Sequence, residues 1–111
     1  MKTQITLLIF SIIALVDSTK NLIANVAGGL CNATDVPLGV IDADTNASET
    51  MPVMTNGIAL VYSGASVTIG DLVKADANSK AISTTTNDKL VVGKALDAST
   101  GADELIRVLL K

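Results

Sequence analysis

The chain has 111 residues, of which 49% are hydrophobic, 17% charged and 2% aromatic; its net charge is −3 and it contains no histidine. The length suits one domain with a modest core. Unclustered basic residues on an acidic chain exclude a phosphate-backbone binder, and two aromatics give no stacking platform for single strands. The missing histidine removes the usual general acid–base group, Ser-His-Asp and Cys-His arrangements, and histidine-based zinc sites.

The first apolar run, Ile5–Val16, follows Lys2 and is too short for an ordinary membrane span. As a secretory signal it lacks an A-x-A-like cleavage site: the next residues are Asp17, Ser18, Thr19 and Lys20. The many β-branched residues of segment 1–20, among them Thr3, Ile5, Thr6, Ile9, Ile12, Ile13 and Val16, favour an extended strand buried on both faces. Short apolar stretches follow at Leu22–Val26, Val36–Asp42, Thr50–Met54, Ile58–Tyr62, Asp71–Ala75, Lys80–Ile82, Lys89–Leu96 and Glu104–Leu110. Turn residues punctuate them, including Gly28-Gly29, Ser63-Gly64 and Asn78-Ser79. Asn56-Gly57 is the strongest hairpin signal, because both residues tolerate positive φ. Pro37 and Pro52 suit strand starts or edges. Ala98–Leu105 has room for one helical turn. This spacing predicts an all-β fold, a small barrel or sandwich of short antiparallel strands. The N-terminal segment, 1–20, is expected to be an extended strand or arm on a β domain spanning 21–111.

The domain carries a weak internal echo. Asn21-Leu22-Ile23 answers to Asp71-Leu72-Val73, and Pro37-Leu38-Gly39-Val40 to Val91-Val92-Gly93-Lys94. An acidic loop follows each, leading to Glu49 or Glu104 and then an apolar strand. The echo suggests two similar β units, 21–56 and 70–110, sharing one core. Gly39 and Gly93 would then mark a bulge or a close backbone approach.

Chemical motifs are weak throughout, and no catalytic, cofactor-binding or metal-binding residue is assigned. Cys31, the sole cysteine, reads as a small buried apolar residue. Asp42-Ala43-Asp44-Thr45-Asn46 opens like a calcium loop, but Ala47 and Val53 stand where such a loop needs Gly and Glu. Gly93-Lys94 lacks the rest of a phosphate-binding loop. Lys74 falls inside a strand rather than at a carrier-type hairpin tip. The acids Asp97, Asp103 and Glu104 read as a polar loop rather than a glycosidase pair. Asn32-Ala33-Thr34 and Asn46-Ala47-Ser48 match glycosylation triplets, which arise by chance in such a chain.

The second half carries a more specific pattern. It runs from Gly57-Ile58-Ala59-Leu60-Val61-Tyr62-Ser63-Gly64 through Ile69-Gly70-Asp71-Leu72-Val73-Lys74-Ala75-Asp76 to Ser79-Lys80-Ala81-Ile82, and closes with Val92-Gly93-Lys94-Ala95-Leu96-Asp97 and Leu105-Ile106-Arg107-Val108-Leu109-Leu110. This resembles the capsid cement, or head decoration, proteins of tailed bacteriophages, over roughly residues 10–110. Ser79 stands where that family often has a turn glycine, and Asp103-Glu104 replaces its Gly-Asp or Gly-Glu. The resemblance implies an all-β structural protein of the virion that stabilises the capsid from its outer surface. Its implied partners are the major capsid protein and copies of itself, as a homo-oligomer with a trimer favoured. It implies neither enzyme activity nor any cofactor, nucleic acid or membrane partner. The interface candidates are Ile5, Leu7, Ile9, Phe10, Ile12, Ile13 and Leu15, because an unpaired apolar strand can add to a neighbouring sheet. The alternative is a secreted or cell-surface adhesion or fimbrial-like module, with residues 1–16 as its signal peptide.

Overall fold

The structure, a computed structural model, describes residues 5–86 and 89–110; within 5–10, Ile9 is the one residue whose side chain is described. Eight strands form among these residues: β1 (Ile5–Ile13), β2 (Ile23–Asn25), β3 (Pro37–Ile41), β4 (Thr50–Tyr62), β5 (Leu72–Ala75), β6 (Ala81–Thr84), β7 (Val91–Ala95) and β8 (Leu105–Leu110). They join in a single sheet in the order β2-β3-β4-β8-β7-β5-β6, with β1 paired to β4. Every strand pair is antiparallel, and the sheet curls into a half-barrel. Of the two architectures expected, this half-barrel agrees with the small barrel.

The long central strand corrects the expected hairpin. Asn56-Gly57 lies inside β4, a strand of 13 residues. Gly57 does adopt a positive φ of 114°, which glycine reaches without steric cost. It is nevertheless paired with Thr6 of β1 on one edge and Leu110 of β8 on the other. With ladders on both sides the chain cannot reverse, so the glycine kinks the strand instead of ending it. The pairing of β1 shifts register at the same place, between Thr6 and Leu8 and again between Leu8 and Ile9. On the edge away from β1, β3 pairs with Met54 and Val53, and β8 takes over from Gly57 to Tyr62.

Pro37 begins β3, as expected, but Pro52 lies within β4. Its carbonyl accepts from the Asp42 N–H, beyond the last β3 pair, Ile41 with Val53. Its missing N–H therefore deprives no neighbouring strand of a ladder bond. No helical turn forms at Ala98–Leu105. There Ser99 is bridged to Val67, and the Thr100 N–H and hydroxyl both donate to the Glu104 carboxylate, which holds the loop in another shape. The expectation that the N-terminal run is buried on both faces is also corrected: Ile9, Ser11 and Ile13 are exposed, because they lie outside both apolar clusters, while Ile12 packs against the smaller one.

Two apolar clusters form, on opposite faces of the β2-β3-β4 part of the sheet: the neighbours Val40 and Ile41, and likewise Met54 and Val53, belong to different ones. The larger joins residues of the later strands, among them Val61, Val73, Val92, Ile106 and Val108. The smaller consists of Ala14, Ala24, Ile41, Met51 and Val53, with Ile12 packed against it. Burial alternates along β4 from Gly57 to Tyr62, as period-2 side-chain placement requires for a strand with one covered face, whereas the consecutive Val53 and Met54 are both buried, each in its own cluster.

The pairing pattern of the first half recurs in the second. Ile23 and Ala24 face Val40 and Gly39, as Leu72 and Val73 face Lys94 and Gly93. Val40 and Ile41 face Met54 and Val53, as Lys94 and Ala95 face Leu109 and Val108. Ile13 and Ile12 face Thr50 and Met51, as Tyr62 and Val61 face Leu105 and Ile106. β4 thus serves twice: its first half pairs with β1, and its second half takes β1's role towards β8.

Candidate functional site

Chemistry on this body is sparse. Among the described residues, no group of three or more His, Cys, Asp or Glu side chains could hold a metal ion. Cys31 is 1% exposed, and burial, with Asp35 adding to it, pushes its thiol up to about 11. A thiol so placed is protonated and poorly nucleophilic near neutral pH. The carboxylates singled out in sequence do not converge on a reacting centre. Asp97 accepts from the Nε and Nη2 of Arg107, at 3.0 Å each, and from the Arg107 backbone N–H at 2.9 Å. That pairing raises the guanidinium further above its ordinary range. Asp103 is paired with Lys80, whose ammonium is held above its usual value by the hydrogen bond. Glu104 caps the Ser99–Thr100 turn. A cleft of about 160 Å³ opens where β3 and β7 come close, lined by Leu38, Gly39, Thr55, Lys89, Val92 and Leu110 among others. The Thr55 hydroxyl is buried without a partner, but no acid–base pair stands beside it.

The more distinctive surface is apolar. Of the interface candidates, Ile9 is 43% exposed, Ile13 54% and Leu15 61%. Ile12 instead turns inward onto the smaller core cluster, so it supports the strand rather than presenting a surface. The side chains of Ile5, Leu7 and Phe10 lie outside the described residues. β1 pairs with β4, and no other strand of the described residues pairs with it. Its far end is covered: the Gly28 carbonyl accepts from the Leu15 N–H at 3.0 Å, and a Cβ on Gly28 would strike the Ile13 carbonyl. The turn that Asn25 organises thus packs against the end of β1. The Asn25 Oδ1 accepts from the Ala27 and Gly29 N–H groups, which holds Gly28 at a φ of 100°.

Sequence reasoning missed two members of this surface. Val16, 45% exposed, and Val26, 55% exposed, extend it around the Gly28 turn. In the sequence Val16 ends an apolar run expected to be buried, and Val26 ends a strand-like stretch. Only the folded turn brings them to one corner.

Comparison with known proteins adds two findings. Residues 14–110 match the family model described as phage cement protein. In three dimensions the chain is similar to the crystal structure of the head fiber gp8.5 N base of bacteriophage phi29, with a TM-score of 0.72 and 16% identity, covering 94% of this chain and 93% of that one. At that identity the likeness speaks for the fold, and an overlay so extensive must take in part of the nine-residue β1. No curated protein matches.

Proposed function

Because this chain belongs to the phage cement protein family, and so is a structural protein of the phage capsid, we propose that it attaches to the outer surface of the shell and stabilises it. Its partners in this reading are the major capsid protein and further copies of itself, with a trimer as the assembly. The observation that carries the reading is the exposed apolar flank at the N-terminal strand, where Ile9, Ile13 and Leu15 stand in solvent on a body otherwise built around a filled core. A group of large apolar side chains left in water adds nothing to the fold and marks a contact surface. Individually weak contacts suffice for such a protein, since an oligomer meeting a regular lattice binds through several at once.

The recurrent pairing supports a second element of the proposal: segments 21–56 and 70–110 are two copies of one β unit, joined through β4, with residues 1–20 supplying the arm that completes the first.

The test is cosedimentation of the purified chain with expanded capsids of its own phage prepared without it, followed by heating of the bare and decorated shells. Saturable binding and a raised temperature of shell disruption are expected. Absence of binding, or binding that leaves shell stability unchanged, would remove the cement reading. Light scattering of the free protein gives its assembly state.

A further inference from the structure

Two stretches of this chain follow the same backbone course and differ in what they expose. In the first, the Ala14 N–H donates to the Glu49 carbonyl and the Ala14 carbonyl accepts from Ser48, while Ser18 and Thr45 exchange a pair of bonds. In the second, Ser63 is bonded in the same way to Glu104 and Asp103, and Val67 and Ser99 exchange the pair. Leu15-Val16-Asp17 lies within the first frame and Gly64-Ala65-Ser66 within the second. The neighbouring turns match as well. Asn25 accepts from the N–H groups of Ala27 and Gly29, as Asp76 accepts from those of Asn78 and Lys80. Within its turn Val26 holds the place of Ala77, although the first turn sits closer to its frame: the Leu15 N–H donates to Gly28 inside that turn, the Gly64 N–H to Ala81 beyond the other.

The second half is an internal control for the first. It builds the same turns with exposed alanines at 65 and 77, so the backbone course does not need a large apolar side chain at either place. Gly64 has a local reason, since a Cβ there would strike the Asp76 carboxylate. The valines of the first half, with Leu15 and Ile13 beside them, form an exposed apolar corner that folding does not explain.

We propose that this corner, Ile13, Leu15, Val16 and Val26, is the face that seats on the capsid shell, against an uncharged apolar patch of the shell protein. The inference rests on the cement reading and deepens it. Its size selects the occupant. Four half-exposed side chains cover on the order of 300 Å², the scale of an ordinary monomer's largest apolar patch. A stable complex between two free proteins buries about 800 Å² on each. The corner is too small to hold two copies together in solution, but suffices when an oligomer presents several corners to one lattice. Its charge agrees: from Thr3 to Val16 the chain has no charged residue, and the first to follow, Asp17, already accepts from the Ala47 N–H at 2.8 Å.

The experiment compares capsid binding by the wild-type chain, the pair Val16→Ala with Val26→Ala, the triple that adds Leu15→Ser, and Ile69→Ser as an exposed apolar control outside the corner. The paired variant copies residues that the second half already uses, so it keeps the fold. The expected result is binding weakened about tenfold in the triple and less in the pair, with assembly state and melting temperature unchanged and Ile69→Ser equal to wild type. Wild-type binding by the triple overturns the inference while leaving the cement reading intact. Loss of the oligomer in the pair or triple overturns it too, because the corner would then join copies. An equal loss in Ile69→Ser shows that the corner is not the specific contact. Failure of the wild-type chain to bind removes the cement reading itself.

Discussion

Gly39 and Gly93 occupy matching places in the two halves of the sheet, and a Cβ on either would collide with a main-chain carbonyl oxygen, that of Met54 in one half and of Leu109 in the other. A backbone atom cannot swing aside as a side chain can. Gly39→Ala and Gly93→Ala should therefore each lower stability by about 1–3 kcal/mol, as overpacking does in closely packed sites. Gly101→Ala, where a Cβ meets nothing, should stay within about 0.5 kcal/mol of wild type. Urea denaturation of the three variants checks this, and an unaffected Gly93→Ala would show that the strands separate easily there.

Asp76 and Asn25 perform the same task with different chemistry. The Asp76 Oδ1 accepts from the Asn78 N–H at 2.7 Å and the Lys80 N–H at 3.0 Å. Asp76→Ala removes both bonds and should cost about 1–2 kcal/mol. Asp76→Asn should cost clearly less, because the Asn25 amide oxygen already holds the equivalent turn. Thermal melts of the two variants rank them, and equal losses would mean that the charge, not the acceptor geometry, matters.

Cys31 provides a pH prediction. Its thiol is raised to about 11 in the folded chain and returns to an ordinary value on unfolding. The folded state thus favours the neutral thiol, so its contribution is fully present below the unfolded pKa. It is lost as pH rises towards 11, at a slope approaching 1.4 kcal/mol per pH unit. Stability should fall across pH 9–11 more steeply in wild type than in Cys31→Ala. At pH 8 a thiol reagent should label the native chain slowly and the urea-unfolded chain at once.

Removing residues 1–13 tests the first strand. Met51 and Val53 are 0% exposed, and β1 pairs directly across from them. The truncated chain keeps every residue that matches the family model yet uncovers this side of the smaller cluster. It should bind a hydrophobic dye and precipitate on concentration, whereas Ile13→Ser, on the exposed face, should stay soluble. A well-folded truncated chain would show that β1 is dispensable to the fold.

Much of the architecture was legible in the sequence because a strand is a local, period-2 pattern. β2, β3, β5, β7 and β8 lie within their expected stretches, β6 runs two residues past its own, β4 joins two of them, and Gly39 and Gly93 stood out as a pair. Even the departures from the family's glycine pattern have a visible counterpart: Ser79 and Asp103 both adopt a φ of 65°, the left-handed conformation that glycine reaches without strain. Asn56-Gly57 misled because a glycine's freedom permits either a reversal or a kink. The choice was made by β1 and β8, strands distant in sequence that pair on either side of Gly57.

By itself the sequence determined the β class, the turn positions, the absence of histidine chemistry and the resemblance to phage cement proteins. All of these depend on residue type and near-neighbour spacing. Tertiary structure alone decided that Ile12 turns inward while Ile9 and Ile13 face out. It also decided that Val16 and Val26 meet at one corner and that β4 is shared by two similar pairings. Which side of a strand is covered, and which loops touch, follows from long-range pairing register, and a shift of one residue in that register exchanges the two faces.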